Sequence, residues 1–145
     1  MLAVVGTVPD PTFEPAEGQV IVQNGQLILN GRAVPVNRGT PALIGAALET
    51  LRVFDRTELT AFLAGDIGLG DGSRRLYRRL VDDCDFADIG VMVFHYLQPD
   101  VDWHNRILFR IQDLPKPPVL IADAGFMYAA KMSGQAGSYD LFTPD

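Results

Sequence analysis

The spacing of apolar residues changes at about residue 38 and divides the chain into two regions. In the first region, short apolar runs are separated by Asn-Gly pairs at 24–25 and 30–31, which readily adopt the positive φ angles of tight hairpin turns. The three prolines between residues 8 and 18 predict an irregular segment before these runs. The pattern predicts a three-stranded antiparallel meander, with strands over residues 20–23, 27–29 and 33–36.

After residue 38, apolar runs of strand length alternate with stretches of helical spacing. Strands are predicted at residues 59–65, 89–96, 119–121 and 140–143, and a short apolar run also covers residues 1–5. Helices are predicted at residues 41–54, 73–83, 100–112 and 125–132, with Thr40 as the cap of the first.

This alternation predicts a three-layer α/β domain in which helices cover both faces of a mostly parallel sheet. The antiparallel meander lies at its N-terminal end. We interpret residues 1–145 as one such domain or the N-terminal part of one, with a meander region at 1–38 and the alternating region at 39–145.

A glycine-rich turn separates the strand that ends near residue 65 from the next helix, with glycines at 65, 68, 70 and 72. Asp71 or Ser73 is the expected cap of that helix. Glycines let another group approach the backbone, and amide N–H groups at the start of a helix attract anions. The turn therefore predicts either an anion site or a tight connection without a ligand. Its spacing matches neither the dinucleotide-binding fingerprint nor a P-loop.

Further candidate residues lie where strands end or helices begin, which is the edge at which open α/β sheets bind ligands. Arg38 and Gly39 are candidate phosphate-binding residues, or Arg38 is a solvated surface charge. His95 is either a substrate contact or a buried histidine whose hydrogen bonds are satisfied. Asp123 suits a ligand hydroxyl or a metal-bound water, or it caps the next helix. The four arginines between residues 74 and 79 form a solvated helix face or add positive potential beside the glycine turn.

Composition and charge disfavour several classes of function. A chain of 145 residues with 48% apolar residues and a mean hydropathy of +0.12 is able to fold around a core. The formal charge of −6 argues against nucleic-acid binding. The lone Cys84 cannot form an internal disulfide, and its acidic neighbours should raise its pKa, so we do not expect a nucleophile. No run approaches the about 18 continuous apolar residues of a spanning helix, and the first residues do not pair a basic stretch with an apolar one, so we expect a cytoplasmic protein.

Four segments, in this order, resemble the ribokinase-like superfamily, and within it the branch of NAD(P)H-hydrate dehydratases and hydroxyethylthiazole-type kinases. They are GTPALIGAALETLRVF at 39–54, AGDIGLGDGS at 64–73, PPVLIADAGFMYAAK at 117–131 and LFTPD at 141–145. Proteins of that branch have a glycine-started alanine-rich helix, a Gly-Pro-Gly-Leu-Gly type loop, a strand that ends in Asp-Ala and a strand that ends in Thr-Pro. The resemblance covers about residues 39 to 145.

The resemblance implies a pocket at the carboxyl edge of the sheet that holds a phosphorylated or hydroxylated small molecule beside a nucleotide. It implies that Gly68, Leu69 and Gly70 line the substrate and that Asp123 contacts a ligand hydroxyl. Thr143 and Pro144 would border the nucleotide phosphates. The implied reaction is phosphoryl transfer from ATP or ADP, with Mg²⁺, to a small alcohol, or to the hydrate hydroxyl of a damaged nicotinamide cofactor followed by elimination.

The sequence also departs from the resembled branch. Asp66-Ile67 stands where the loop usually begins Gly-Pro, Gly125-Phe126 replaces the Leu-Asn that often follows Asp-Ala, and Asp145 replaces His or Asn. The catalytic aspartate of the branch belongs to a Gly-x-Gly-Asp segment well beyond the Thr-Pro, whereas Gly70-Asp71 lies in a different loop. The catalytic residues are therefore unknown, and we expect a piece of a longer kinase-like protein or a reduced, non-catalytic relative.

Two classes of function follow from these observations. The first is a small-molecule kinase or repair dehydratase that acts on a small molecule and a nucleotide. The second is a binding or assembly module that keeps the glycine turn for an anionic ligand or only for chain reversal, and covers its open sheet edge by dimerisation. We expect a homo-oligomer. A flavin or nicotinamide oxidoreductase is disfavoured because the fingerprint is missing.

Overall fold

A computed structural model describes residues 1–123 and 125–144, and it shows an α/β architecture with two sheets. The strands are β1 (Leu2–Val8), β2 (Ala16–Gln19), β3 (Ile21–Gln23), β4 (Gln26–Leu29), β5 (Arg32–Pro35), β6 (Leu59–Gly65), β7 (Val91–His95), β8 (Val119–Asp123) and β9 (Leu141–Thr143). The helices are α1 (Gly39–Val53), α2 (Asp71–Asp82), α3 (Val101–Gln112) and α4 (Gly125–Met132), with a short 3₁₀ helix at Ala136–Ser138.

The larger sheet has six strands in the order β2-β6-β1-β7-β8-β9, and β3, β4 and β5 form a separate antiparallel sheet. All pairings in the large sheet are parallel except that of β2 with β6. The chain runs from β1 outward to β6 and then returns past β1 to β7. The order of the parallel strands is therefore that of a doubly wound sheet, whose direction reverses between β1 and β7.

Helices and the small sheet cover both faces of the large sheet. On one face, α1 and the small sheet pack through Ile44, Leu48 and Leu27. On the other face, α2, α3 and α4 form a second core. Its helical side chains include Leu76, Tyr77, Leu80, Ile107, Leu108, Ile111, Phe126 and Met127. The predicted three-layer arrangement of a mostly parallel sheet with helices on both faces is confirmed.

Strand β1 lies inside the large sheet and is buried on both faces. Ala3 and Val5 point into the core beneath α2, α3 and α4, whereas Val4 and Val8 point into the core beneath α1. A central parallel strand must be apolar on both sides, which produces a continuous apolar run in place of alternation. The sequence prediction ended this run near Gly6, but the strand continues to Val8.

The meander follows its sequence signals closely. Asn24 and Gly25 have φ angles of 51° and 72°, and Asn30 and Gly31 have φ angles of 50° and 76°. Positive φ at both central residues is what a two-residue hairpin turn requires. The predicted three-stranded antiparallel meander is therefore confirmed, as a sheet of its own packed beneath α1.

Two local expectations were wrong. Residues 8–18 are not irregular throughout, because Ala16–Gln19 forms β2 and pairs antiparallel with β6 at the sheet edge. The prolines precede this strand and leave its backbone N–H groups intact. The helix after the meander begins at Gly39, with Arg38 in the cap position, so Thr40 lies inside the first turn and is fully buried. Its hydroxyl contacts a histidine instead of capping the helix.

Cys84 is buried, and the pKa of its thiol is raised as expected, although for a different reason from the acidic neighbours in sequence. Burial is the main cause that raises the pKa of its thiol, to about 12, and a hydrogen bond from Sγ to Glu17 adds to the rise. Arg79 also donates to the same Glu17 carboxylate.

Among the described residues, no helix has both the length and the apolar character needed to cross a membrane.

Gly6 marks the tightest contact between the sheet and α1. A Cβ atom at this position would lie 2.5 Å from the backbone oxygen of His95 and 2.7 Å from Oγ1 of Thr40. Because a backbone oxygen cannot move away cheaply, we expect Gly6→Ala to lower the free energy of unfolding by about 2 to 3 kcal/mol. Denaturant titration at neutral pH would measure this loss.

Gly137→Ala is the matched control for this prediction. A Cβ atom at Gly137 would meet nothing within 4 Å, so this variant should stay within about 0.5 kcal/mol of the parent. Equal denaturation midpoints for the two variants would contradict the close contact at Gly6.

Candidate functional site

A cavity of about 280 Å³ opens at the carboxyl ends of β1, β6 and β7. It lies beside the point where the strand order reverses, which is where open α/β sheets bind ligands. Its lining residues are Thr7, Pro9, Arg38, Gly39, Asp66, Gly68, Tyr96 and Gln98. A larger depression of about 650 Å³ lies at the opposite end of β1 and β7, beside Met1 and Arg56, where the topology gives no reason to expect a ligand.

The glycine turn is organised by the carboxylate of Asp66, the residue that follows β6. Oδ1 accepts hydrogen bonds from the backbone amides of Gly68, Leu69 and Gly70 at 2.9, 3.0 and 3.1 Å. Oδ2 accepts from both the amide and the hydroxyl of Ser73, each at 2.8 Å. The position in which an external anion was expected is therefore filled by the chain's own carboxylate.

This arrangement corrects the expected capping of α2. Asp71 and Ser73 do not cap the helix with their own side chains; the cap residue is Gly70, in the left-handed region at φ 87°. Asp66 supplies the acceptor from outside the helix. The positive φ angles of Gly68 and Gly70, 94° and 87°, allow the backbone to wrap around this one side chain.

Hydrogen bonding keeps Asp66 ionised despite its partial burial. Burial alone would raise its pKa, but the hydrogen bonds from Ser73, Gly70 and Gly68 together lower the pKa below the usual value for an aspartate. Ser73 Oγ also accepts from the backbone amide of Gln98 at 3.0 Å. The carboxylate thereby joins the loop after β6 to the loop after β7, and both loops line the cavity.

The arginines of α2 are largely neutralised by neighbouring acids. Arg75 pairs with Glu14 at 2.9 Å and Arg79 with Glu17 at 3.2 Å. Arg74 lies within 3.7 Å of Asp100 and 3.5 Å of Asp71. These pairs favour the interpretation of the cluster as a solvated, ion-paired helix face.

Arg38 has a different environment from the ion-paired Arg74, Arg75 and Arg79 of α2. It is exposed, lines the cavity, and takes part in no ion pair among residues 1–123 and 125–144. It occupies the cap position of α1 with an extended backbone, and no side chain caps the helix there. The positive end of the α1 dipole and the Arg38 guanidinium are thus on the same side of the cavity.

Three polar side chains form a chain of contacts behind the cavity. Thr40 Oγ1 lies 2.9 Å from His95 Nδ1, and His95 Nε2 lies 3.3 Å from Asp123 Oδ2. Thr40 belongs to α1, His95 ends β7 and Asp123 ends β8, so three separate elements meet here. His95 is buried, whereas the Asp123 side chain keeps 20% of its surface exposed at the sheet edge.

Tyr96 has a strained backbone next to this chain of contacts. Its φ angle is 52°, which is unfavourable for an aromatic residue. Thr7 Oγ1 donates to the Tyr96 carbonyl at 2.7 Å and holds this conformation. The ring remains 46% exposed, packs beside Gly39, and meets the His95 ring edge-on at 4.3 Å. The strain therefore places an aromatic ring at the cavity wall.

The structure brings some of the predicted site residues together and leaves others apart. Arg38, Gly39 and Gly68 line the cavity, and His95 contacts Asp123. Leu69 is 72% exposed on the outside of the turn. Thr143 pairs in register with Asp123, one strand further along the edge, and Pro144 follows it, exposed. The departure noted at Asp145 lies outside the described residues.

Several residues of the site were not identified from the sequence. Thr7, Tyr96 and Gln98 line the cavity, but no spacing or motif distinguishes them. Asp66 carried a usable signal, since an aspartate just before a glycine-rich turn is able to accept from the turn's amides. Thr40 was noticed, but its role was assigned to the helix cap.

The described residues do not provide a magnesium site on their own. No group of three or more His, Cys, Asp or Glu side chains in this part of the chain could hold a metal ion. The acceptor positions of Asp66 are taken by five hydrogen bonds, and Asp123 faces His95.

The sequence matches no model of a known protein family, and it matches no solved structure. It is 37% identical over 103 residues to an uncharacterized protein of Methanocaldococcus jannaschii. The matched residues are 71% of this chain and 40% of that protein. The match thus spans well under half the length of this relative.

We expect Asp66→Asn to lower the free energy of unfolding by about 1 to 3 kcal/mol at pH 7, because an amide nitrogen cannot accept from Ser73. The stability that Asp66 contributes is present above its unfolded pKa of about 3.9 and is lost as the pH falls through its lower folded pKa. The difference between the two proteins should therefore shrink below about pH 4. Denaturant titrations at several pH values measure it.

The control for this prediction is Asp71→Asn in the same turn. The Asp71 side chain is 85% exposed and contacts only Arg74 at 3.5 Å, so its replacement should change stability by less than about 0.5 kcal/mol. If Asp66→Asn were as stable as this control at pH 7, Asp66 would not hold the turn.

Proposed function

We propose that this chain contributes the small-molecule-binding part of a ribokinase-like enzyme, either a nucleotide-dependent small-molecule kinase or a relative of the NAD(P)H-hydrate dehydratases. The observation that carries the proposal is the cavity at the reversal of the strand order, bordered by Arg38 and the start of α1. The family assignment comes from the four sequence segments described above. We also propose a cytoplasmic location, on the sequence pattern described above.

Arg38 and Gly39 are the residues that we assign to an anionic group of the ligand. Arg38 offers a guanidinium that makes no ion pair among the described residues, and the amides at the start of α1 lack a side-chain cap. Gly39 has a φ angle of 62° and keeps the space between the helix start and Tyr96 open. A phosphate group suits these donors.

Asp123 is the residue that we assign to a ligand hydroxyl. Its carboxylate is partly exposed at the end of β8, two strands away from the centre of the cavity at β1. An ionised carboxylate accepts a hydrogen bond from a hydroxyl and, in phosphoryl transfer, orients that oxygen. We assign the nucleotide to the sheet edge that reaches Thr143 and Pro144, as the resemblance implies, with its phosphates on the donors at Arg38 and Gly39. Gly68 lines the cavity, and Gly70 caps α2 in the same turn, which Asp66 holds.

A second candidate is a non-catalytic binding or assembly module of the same fold. It is favoured by one observation: the amides of the glycine turn, which the resemblance assigns to the substrate, donate to Asp66. In this alternative, the outer edge of β9 is where a second copy of the chain would add its own strand. A stable dimer that is unaffected by nucleotides would support this alternative.

The proposed function predicts ligand-dependent stabilisation. Thermal unfolding should be measured with Mg-ATP, Mg-ADP and ADP-ribose as probes. A probe present at 100 times its Kd should stabilise the protein by about 2.7 kcal/mol, which raises the melting temperature measurably. Arg38→Gln should weaken binding of the stabilising probe about tenfold or more, because a charge-assisted hydrogen bond to phosphate is lost.

Arg56→Gln is the matched control, because Arg56 lies at the opposite end of the sheet beside the larger depression. This variant should retain the full stabilisation by the same probe. A flat titration with all three probes would contradict the enzyme proposal and leave the binding-module alternative. Equal loss of binding in both variants would contradict the assignment of Arg38.

A further inference from the structure

The contacts from Thr40 through His95 to Asp123 indicate which atoms donate and which accept a hydrogen bond. Asp123 presents a carboxylate to Nε2 of His95, so the favourable tautomer of a neutral imidazole carries its proton on Nε2. Nδ1 then accepts a hydrogen bond from the hydroxyl of Thr40, 2.9 Å away. One histidine tautomer therefore satisfies both neighbours at once.

Exposure decides which member of this chain meets a ligand. Thr40 is completely buried, and the His95 side chain is only 9% exposed, whereas that of Asp123 is 20% exposed. Asp123 is thus the most exposed of the three side chains at the carboxyl edge of the sheet. Thr40 and His95 are therefore suited to act through Asp123 rather than on the ligand.

Close contacts surround His95 at the end of β7. Gly6 of β1 approaches so closely that a Cβ atom would lie 2.7 Å from Thr40 and 2.5 Å from the His95 carbonyl. The Tyr96 ring meets the imidazole edge-on at 4.3 Å. Asp123 and Tyr96 are among the side chains in contact with this ring. A ring packed in this way holds a fixed donor toward Asp123.

We propose that His95 is a positioning residue that fixes the side-chain rotamer of Asp123, and that buried Thr40 selects the histidine tautomer and ring orientation needed for this. His95 is thus reassigned from a substrate contact to a support for the carboxylate that meets the substrate. The inference rests on the proposed function and deepens it. A carboxylate held in one rotamer at the sheet edge selects ligands that place a hydroxyl group, as hydrogen-bond donor, opposite Asp123.

The rotamer of Asp123 tests the proposal in the ligand-free protein. Three-bond NMR couplings to the carboxyl carbon should show one dominant χ1 rotamer in the parent. His95→Leu removes the donor, and the couplings should collapse toward the averaged values of exposed Asp71. His95→Gln should restore the single rotamer, because its amide nitrogen reaches about as far from Cα as Nε2. A histidine that only fills space would leave Asp123 unchanged in all three proteins.

Thr40→Val tests the buried end of the chain of contacts. Valine keeps the shape of threonine and removes the hydroxyl, so the imidazole nitrogen spectrum should change from one tautomer to a mixture, with partial averaging at Asp123. If His95→Leu does not fold, Thr40→Val still tests whether the contacts through His95 fix the rotamer of Asp123. An unchanged tautomer together with an unchanged Asp123 rotamer in Thr40→Val would overturn the role of Thr40, and an unchanged rotamer in His95→Leu would overturn the proposal.

These outcomes are separate from those of the proposed function, because no ligand is present in the NMR experiment. A fixed Asp123 that averages in His95→Leu, combined with a flat titration against Mg-ATP, Mg-ADP and ADP-ribose, would support the positioning role while contradicting the nucleotide-dependent enzyme. An unchanged Asp123 rotamer in His95→Leu, combined with stabilisation by one of the three probes, would support ligand binding and contradict the positioning role.

Discussion

The carboxylate of Asp66 is the interaction on which the geometry of the candidate site depends. It gathers three backbone amides and both polar groups of Ser73, and Ser73 in turn holds the backbone of Gln98. One side chain thus sets the direction of α2 and ties together two of the loops around the cavity. It also changes the electrostatic character of the turn, since a negative charge now stands where an anionic ligand would otherwise bind.

The fold was largely predictable because its strongest signals are local. Apolar runs with helical stretches between them indicated the parallel sheet, and two Asn-Gly pairs indicated the meander. The errors occurred where tertiary contacts override local pattern. Ala16–Gln19 pairs with β6, a strand more than 40 residues away in the sequence. Its formation depends on that distant partner and not on the local pattern. Thr40 has the residue type of a helix cap, but the helix begins two residues earlier than predicted, and the Thr40 hydroxyl contacts His95.

The candidate site was less predictable than the fold. The ends of strands β7 and β8 could be located, so His95 and Asp123 were identified, but their contact with each other depends on a register that only the assembled sheet provides. The glycine turn was recognised as an anion-binding shape. Its occupant could not be deduced from glycine spacing alone, because an external phosphate and an internal carboxylate require the same backbone.

The left-handed backbone of Tyr96 also bears on how this position changes over evolution. Such a conformation costs about 1 to 3 kcal/mol for a non-glycine residue, and glycine or asparagine would relieve much of it. Mutation under selection for stability alone would therefore remove the aromatic ring. A relative that keeps tyrosine at this position has lower stability and keeps the ring at the cavity wall. We expect the residue at this position to distinguish relatives that use the cavity from those that only keep the fold.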